Sequence, residues 1–239
     1  MEATAMAQLK PHEFDSRTDL DIWLAREIAA ALETAISERG SASLAVSGGR
    51  TPLGMFQQLR QMRLDWDKVW ITLVDDRWLP ADHPDSNEAL VREHLLKYQL
   101  AAAHFVPLKT VHEQPAAALA DIDQRLRAIP QPFDVVVLGM GDDGHTASLF
   151  PCAAELEAAA DPANPRLVAA LQPMSAPYGR ISLTLATIAR ARNLLLHITG
   201  SKKKQIFEAA MAASAAEPHL PVRRVLDRAP GVCHVFWAE

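Results

Sequence analysis

Two cysteines in 239 residues, Cys152 and Cys233, leave no material for a disulfide framework. No run of about 18 apolar residues occurs, so no membrane-spanning helix is expected. The N-terminal stretch MEATAMAQLKPHEF lacks a basic region followed by an apolar core, and no secretory signal is read in it. Positive charge is not in excess. The formal net charge of −5 argues against non-specific nucleic-acid binding, while leaving room for a local basic pocket. His83, His94, His104, His112, His197, His219 and His234 are scattered without metal-motif spacing such as H-E-x-x-H, so no metal is expected. There is no internal repeat, low-complexity linker or composition shift, and one domain over residues 1–239 is the simplest organisation. A cytoplasmic protein is the expectation.

What the chain does have is apolar content: 49% of its residues are hydrophobic, enough for a sizeable core. The most informative stretch is Phe133 to Pro151, FDVVVLGMGDDGHTASLFP. Val135–Leu138 fits a strand buried on both faces. It ends in Gly139, Gly141 and Gly144, with His145 directly after, and Thr146 and Ser148 read as the opening of a helix. Ligands of open parallel sheets bind just beyond the carboxyl ends of strands, where a histidine is well placed as a general base. Residues 139–144 also match the dinucleotide pattern G-x-G-x-x-G. Asp142 and Asp143 speak against it, because two carboxylates would face a pyrophosphate.

Residues 16–39 read as an amphipathic helix with Gly40 as its C-terminal cap. Strands are expected at 43–46, 69–74, near Phe105, and at 135–138, 167–171, 193–198 and 232–237. Helices are expected from Pro52 with Thr51 as cap, from Ser86 to about Lys97, over 115–128 and from Lys202. Strands alternating with helices imply parallel pairing through right-handed crossovers. The predicted fold is α/β: a doubly wound, mostly parallel, Rossmann-like sheet with helices on both faces.

Four predicted strand ends carry polar sequence: SGGRTP at 47–52, DDR at 75–77, GMGDDGHTAS at 139–148 and TGSKK at 199–203. One sheet edge would gather backbone amides, hydroxyls, cations, carboxylates and an imidazole, a set suited to a phosphorylated, oxygen-rich small molecule. SGGRTP reads as an anion cradle, with Ser47 and Thr51 donating and the helix dipole assisting, although an ordinary glycine turn explains it equally. Asp75-Asp76-Arg77 fits a solvated loop or helix start as well as a site, where Arg77 would pair with a phosphate or carboxylate. Three lysines at a helix start are disfavoured by the dipole and suggest an anion nearby. Pro221-Val222-Arg223-Arg224 reads as surface, and His197 as a packed strand residue. Ser47, Asp75 and His145 have the chain order of an α/β-hydrolase triad, but the helix starts about five residues too late for a nucleophile elbow.

These residues resemble the 6-phosphogluconolactonases of the pentose phosphate pathway. The blocks LAVSGGRTPLGMFQQL, LVDDRWLPADHPDSNEALVREHLL, DVVVLGMGDDGHTASLFP, GRISLTLATIARARNLLLHITGSKKKQIFEA and PVRRVL follow the family's order over most of the chain. The second and third are the specific ones, since SGG-x-TP is shared with glucosamine-6-phosphate deaminases. The resemblance implies hydrolysis of 6-phospho-D-glucono-1,5-lactone with no metal and no redox cofactor. It implies His145 as general base, with Asp75 and Arg77 beside it. Arg77, Arg180 and Lys203 match the family's substrate and phosphate cations, and Ser47, Gly48, Gly49 and Thr51 its phosphate loop. Asp76 stands where the family usually has Glu. Water activated by His145 would attack the lactone carbonyl. Asp75 or Asp142 would orient the ring, and the sequence does not choose between them, nor wholly between Lys203 and its neighbours Lys202 and Lys204.

The expected partner is a small phosphosugar lactone, with no nucleic acid or membrane, and the expected assembly a monomer or weak homodimer. The competing readings are a glucosamine-6-phosphate deaminase, a serine esterase using Ser47, and a non-catalytic sugar-phosphate sensor.

Overall fold

The computed structural model describes residues 8–214, 219–229 and 231–239. The first seven residues of the stretch read for a targeting signal lie outside that range. The chain begins with strand β1 (Gln8–Phe14), which the hydrophobic pattern did not announce. Helix α1 (Arg17–Arg39) follows, its first turn capped by Ser16, whose hydroxyl accepts from Asp19 N–H. Leu20, Leu24, Ile28, Leu32 and Ala35 recur at helical spacing and are fully buried. Gly40 ends the helix at φ 80°, a left-handed conformation that glycine adopts without a Cβ clash. Strand β2 (Ala42–Val46) and helix α2 (Leu53–Leu59) come next, then β3 (Val69–Leu73) and β4 (Asp75–Arg77). Helix α3 (Asn87–His94), short β5 (His104–Phe105), helix α4 (Leu119–Leu126) and strand β6 (Val135–Leu138) follow. The later elements are α5 (Leu156–Ala159), β7 (Val168–Leu171), β8 (Arg180–Leu183), α6 (Leu185–Ala189) and β9 (Asn193–Thr199). Helices α7 (Ser201–Ala212) and α8 (Pro221–Leu226) and strand β10 (Val232–Ala238) close the chain.

Seven strands form one sheet in the order β1-β10-β9-β6-β2-β3-β5, every neighbouring pair parallel. From β2 the chain proceeds outward through β3 to β5. From β6 it proceeds the other way through β9 to β10, so the winding reverses between β2 and β6. Their carboxyl ends splay around the crevice where ligands of such sheets bind. All residues of β2 and β6 are buried, as expected of strands covered on both faces.

Five expectations fail here. Asp75–Arg77 is neither loop nor helix start but a strand of a second sheet, β4-β8-β7, whose pairings are antiparallel. Residues 167–171 therefore pair antiparallel, not in the main sheet. Val74 joins the two sheets: its N–H donates to Val46 O and its carbonyl accepts from Leu183 N–H. No helix opens after His145. Ala147 has φ 49° and Leu149 N–H donates to Thr146 O, so the chain makes a tight turn. Thr51 does not cap α2, which has no side-chain cap. The PVRR segment is the start of α8, where Pro221, Val222 and Arg223 are buried. The Arg223 guanidinium donates to the carbonyls of Ala210 and Met211 at the end of α7 and to the Asp227 carboxylate. Among the described residues no helix is long and apolar enough to cross a membrane.

Candidate active site

A cavity of about 810 Å³ opens over the β2–β6 crevice. All four polar strand ends reach it: Ser47–Pro52, Asp75 and Arg77, Gly139–Asp143 with His145, and Lys203. Arg180 of β8 completes the set.

His145 is held on three sides. Its Nδ1 lies 2.5 Å from Asp143 Oδ1, and its ring stacks on Phe150 with centroids 4.0 Å apart. On the third side is Gly141: a Cβ there would sit 2.1 Å from Cε1 of the ring, so only glycine fits beneath it. The hydrogen bond from His145 holds the Asp143 carboxyl below its usual range. An ionised carboxylate only accepts, so Nδ1 donates this hydrogen bond and Nε2 is the ring nitrogen not engaged by Asp143. Neither carboxylate considered from the sequence does this work. Asp75 accepts from Ser148 Oγ at 2.5 Å, and Asp142 from Lys202 Nζ at 2.5 Å. Asp143 sits two residues before His145, and that spacing was the available signal.

The three cavity cations form no close ion pair among the described residues. Arg77 and Arg180 are direct cross-strand partners in the β4–β8 pair. Arg77 Nη1 donates to the Asp85 carbonyl at 2.6 Å. Arg180 is 5% exposed, and its Nε has no hydrogen-bond partner among the described residues. Burial first, and then Arg77, lower the Arg180 pKa. Among the described residues neither arginine nor Lys203 has an ion-pair partner within 4.0 Å, whereas Lys202 pairs with Asp142 and Lys204 with Glu13. Burial lowers the Lys203 pKa, against the pull of Asp142. The N–H groups of Gly48, Gly49, Arg50 and Thr51 donate to no acceptor among the described residues. These anion-seeking groups line the same cavity as His145.

The sequence profile of the glucosamine-6-phosphate isomerases/6-phosphogluconolactonase family matches residues 15–237. The chain belongs to this family. It is 47% identical over 225 residues to a 6-phosphogluconolactonase of Mesorhizobium japonicum, covering 94% of this chain and 93% of that one. It is 44% identical over 227 residues to one of Rhizobium meliloti, covering 95% and 97%. The crystal structure of a 6-phosphogluconolactonase from Shewanella baltica superposes with a TM-score of 0.92 at 42% identity, covering 99% of each chain. These relatives place the chain on the hydrolase branch, as an enzyme.

Within that family frame, several site residues take forms the sequence did not disclose. Ser47 lines the cavity, but its hydroxyl donates to Val137 O at 2.9 Å and accepts from Gly139 N–H at 3.1 Å. It ties β2 to β6 and has no proton left for a phosphate or for nucleophilic chemistry with His145. Helix α2 has seven residues, so the expected dipole contribution is small. Asp76 is fully buried. It accepts from the backbone N–H groups of Arg77 and Asn87 at 2.7 Å and of Glu88 at 3.1 Å. The carboxylate thus anchors α3 to β4 rather than facing the cavity. Asn87 in turn donates from Nδ2 to Asp75 O at 2.9 Å, and Tyr178 Oη donates to Asp85 Oδ2 at 3.3 Å on the cavity rim. Asn87 and Tyr178 went unread as site residues because their partners, Asp75 and Asp85, lie 12 and 93 residues away; Phe150 went unread although its partner His145 is only five residues off. The dinucleotide pattern at 139–144 lacks the helix it requires.

Proposed function

We propose that the enzyme hydrolyses 6-phospho-D-glucono-1,5-lactone to 6-phospho-D-gluconate, the lactone-opening step of the oxidative pentose phosphate pathway. The observation that carries the reading is the Asp143–His145 pair in one cavity with Arg77, Arg180 and Lys203, three cations without an ion-pair partner among the described residues. A base alone would suit many reactions. A base sharing a cavity with Arg77, Arg180 and Lys203 suits an anionic substrate whose electrophilic carbon stands away from its charge.

In this reading Lys203 and the free amides of Gly48, Gly49 and Thr51 hold the phosphate. Arg77 and Arg180 face the sugar ring and its carbonyl end. Nε2 of His145 takes a proton from water as the water oxygen bonds to C1. The carbonyl oxygen becomes an oxyanion, stabilised by an arginine. The C1–ring-oxygen bond then breaks, and the imidazolium returns its proton to the departing ring oxygen. Asp143, held ionised, stabilises the imidazolium between the two transfers. General base catalysis contributes about 10²–10⁴-fold, and positioning through the phosphate adds to it. A lactone is reactive enough that no covalent intermediate is required. The reaction as drawn uses no metal or redox cofactor. The same reading makes the cytoplasm the working compartment and a monomer or weak homodimer the working form.

The test is hydrolysis of freshly generated lactone coupled to 6-phosphogluconate dehydrogenase, with spontaneous opening subtracted. Wild-type turnover should exceed background and be lost in His145→Ala with little change in KM. Turnover at background would reject the reading, and ammonia release from glucosamine 6-phosphate would then mark the enzyme as a deaminase.

A further inference from the structure

His197 is the one residue of β9 that combines burial in the core with a place on the cavity wall. It is 3% exposed, it lines the cavity, and neither ring nitrogen has a hydrogen-bond partner among the described residues. Its flanking residues Leu194, Leu195, Leu196 and Ile198 are apolar and buried, as strand packing alone would require. A residue serving only to fill that space would be apolar too, because buried polar atoms without partners oppose folding.

The surroundings define which end of the cavity the ring serves. Nε2 lies 3.8 Å from Asp21 Oδ1, beyond hydrogen-bond reach. The Asp21 carboxylate sits against the first turn of α2, since a Cβ on Gly54 would come within 1.9 Å of Oδ2. Lys203 is the other charged group acting on the ring. The imidazole therefore stands near Lys203 and lines the same cavity as the 48–51 loop, the two elements assigned to the phosphate. We infer that His197 is part of the anion subsite, its ring donating an N–H to the phosphate group of the bound sugar phosphate. This rests on the lactonase reading for the identity of the ligand, but the contact itself requires only a phosphate ester.

The chemistry is consistent with a neutral donor. Burial, and then Lys203, press the His197 pKa down to about 4, so the ring is uncharged in the free enzyme near neutral pH. A neutral imidazole carries one donor and one acceptor, and phosphate oxygens accept. A donor without a hydrogen-bond partner among the described residues gains one when a phosphate oxygen comes within reach, and that contact adds affinity for the phosphorylated ligand. An unphosphorylated sugar offers no such partner at that depth.

The test compares wild type with His197→Leu, which removes the donor, and His197→Gln, which restores one. Binding of 6-phosphogluconate is read by calorimetry, and folding by thermal melting. His197→Leu should weaken the dissociation constant about ten-fold, and His197→Gln should recover to within about three-fold of wild type. In turnover the loss should fall on KM rather than kcat, and the preference for phosphorylated over unphosphorylated gluconolactone should drop about ten-fold. A folded His197→Leu that binds 6-phosphogluconate within about two-fold of wild type overturns the inference, as does His197→Gln binding as weakly as His197→Leu. If the leucine variant does not fold, nitrogen-15 spectra of histidine-labelled wild type decide the matter. A His197 ring resonance that moves on adding 6-phosphogluconate supports the contact, and one that stays overturns it. Weakened binding in His197→Leu together with wild-type turnover at background would reject the lactonase reading and leave the anion contact standing.

Discussion

Arg77 and Arg180 stand directly opposite each other on the antiparallel strands β4 and β8. Like charges in that relation destabilise a sheet. Arg180 is moreover buried, with Nε lacking any partner among the described residues. Such an arrangement trades stability for affinity toward an anion. Arg180→Met keeps similar volume without the charge, and replacing poorly compensated buried charge by apolar volume is neutral or stabilising. The variant should melt about 2–6 °C higher, corresponding to about 1–2 kcal/mol at this chain length. Its KM for the lactone should rise at least about ten-fold. A lower melting temperature would mean that Arg180 has a structural role that its free guanidinium does not reveal.

Asp143→Asn tests the partner of the base. The amide retains an acceptor for Nδ1–H, so the ring can keep its place, while the charge that stabilises the imidazolium is gone. The expected result is a fall in kcat of about 10²-fold with KM within about three-fold, against a larger fall for His145→Ala. Asp142→Asn, which breaks the Lys202 pair and removes a charge acting on Lys203 but leaves the Asp143–His145 contact, should leave kcat within about two-fold. The reverse ranking of the two aspartate variants in steady-state assays would assign the orienting role to Asp142.

That pair marks the boundary of what the sequence discloses. Val135–Leu138 is four apolar residues long and ends in glycines, so the strand, its burial and the position of His145 at a sheet edge were all legible. Helix α1 was legible for the same local reason: a cap, an apolar stripe and a closing glycine. Adjacent carboxylates at 142 and 143 have the same chemistry. They are separated only by the turn, which aims one at His145 and the other at Lys202. The second sheet was illegible for a different reason. Its strands are three or four residues long, and Asp75 and Asp76 look solvated until Ser148, Asn87 and Glu88 supply their donors. A burial that depends on partners tens of residues away leaves no local pattern. His197 was read as packed, which is true of its burial and misses its place on the cavity wall.

The lysine run makes a second assignment by geometry. Successive residues of a helix point about 100° apart, so three adjacent lysines face three directions. Lys202 meets Asp142, Lys204 meets Glu13 and lies 4.1 Å above the Trp237 ring, and Lys203 reaches the cavity. Lys203→Met should raise KM about ten-fold or more, while Lys202→Met and Lys204→Met stay within about two-fold. Equal effects in all three would show that the run acts as a diffuse field, and the KM effects would then fade together with added salt.

Asp76 supplies a pH dependence. Burial raises its pKa to about 6, against the backbone hydrogen bonds that favour its charged form. In the unfolded chain the carboxyl ionises at its ordinary value near 3.9. Between about pH 4 and 6 the folded protein therefore holds a proton that the unfolded chain has released. Stability from this group is complete below about pH 4, falls as pH rises through the window, and is level above about 6. At about 1.4 kcal/mol per unit, the loss is about 1–3 kcal/mol. Asp76→Asn cannot titrate, so the difference in unfolding free energy between wild type and variant should shift by that amount, against wild type, from pH 4 to 7. Urea unfolding of both proteins across that range measures it. A constant difference would mean that the hydrogen bonds from Arg77, Asn87 and Glu88 hold the carboxylate ionised throughout.

Gly141→Ala separates catalytic placement from folding. The added methyl group would lie 2.1 Å from Cε1 and 2.2 Å from Nδ1 of His145, and 2.8 Å from Asp143 Oδ1. The nearest atoms are those of the imidazole, so what must yield is the ring, which is itself pinned from the other side by Phe150 at 4.0 Å. The ring can escape only by leaving Asp143, and with that contact go both the proton placement on Nδ1 and the aim of Nε2. A misplacement of about 1 Å costs on the order of 10²-fold in rate. The variant should lose at least that much kcat, approaching His145→Ala, while its melting temperature stays within about 3 °C of wild type, because the ring lies at the cavity surface rather than in the core. Near-normal kcat in Gly141→Ala would show that His145 works from a different position than the one it occupies against Asp143.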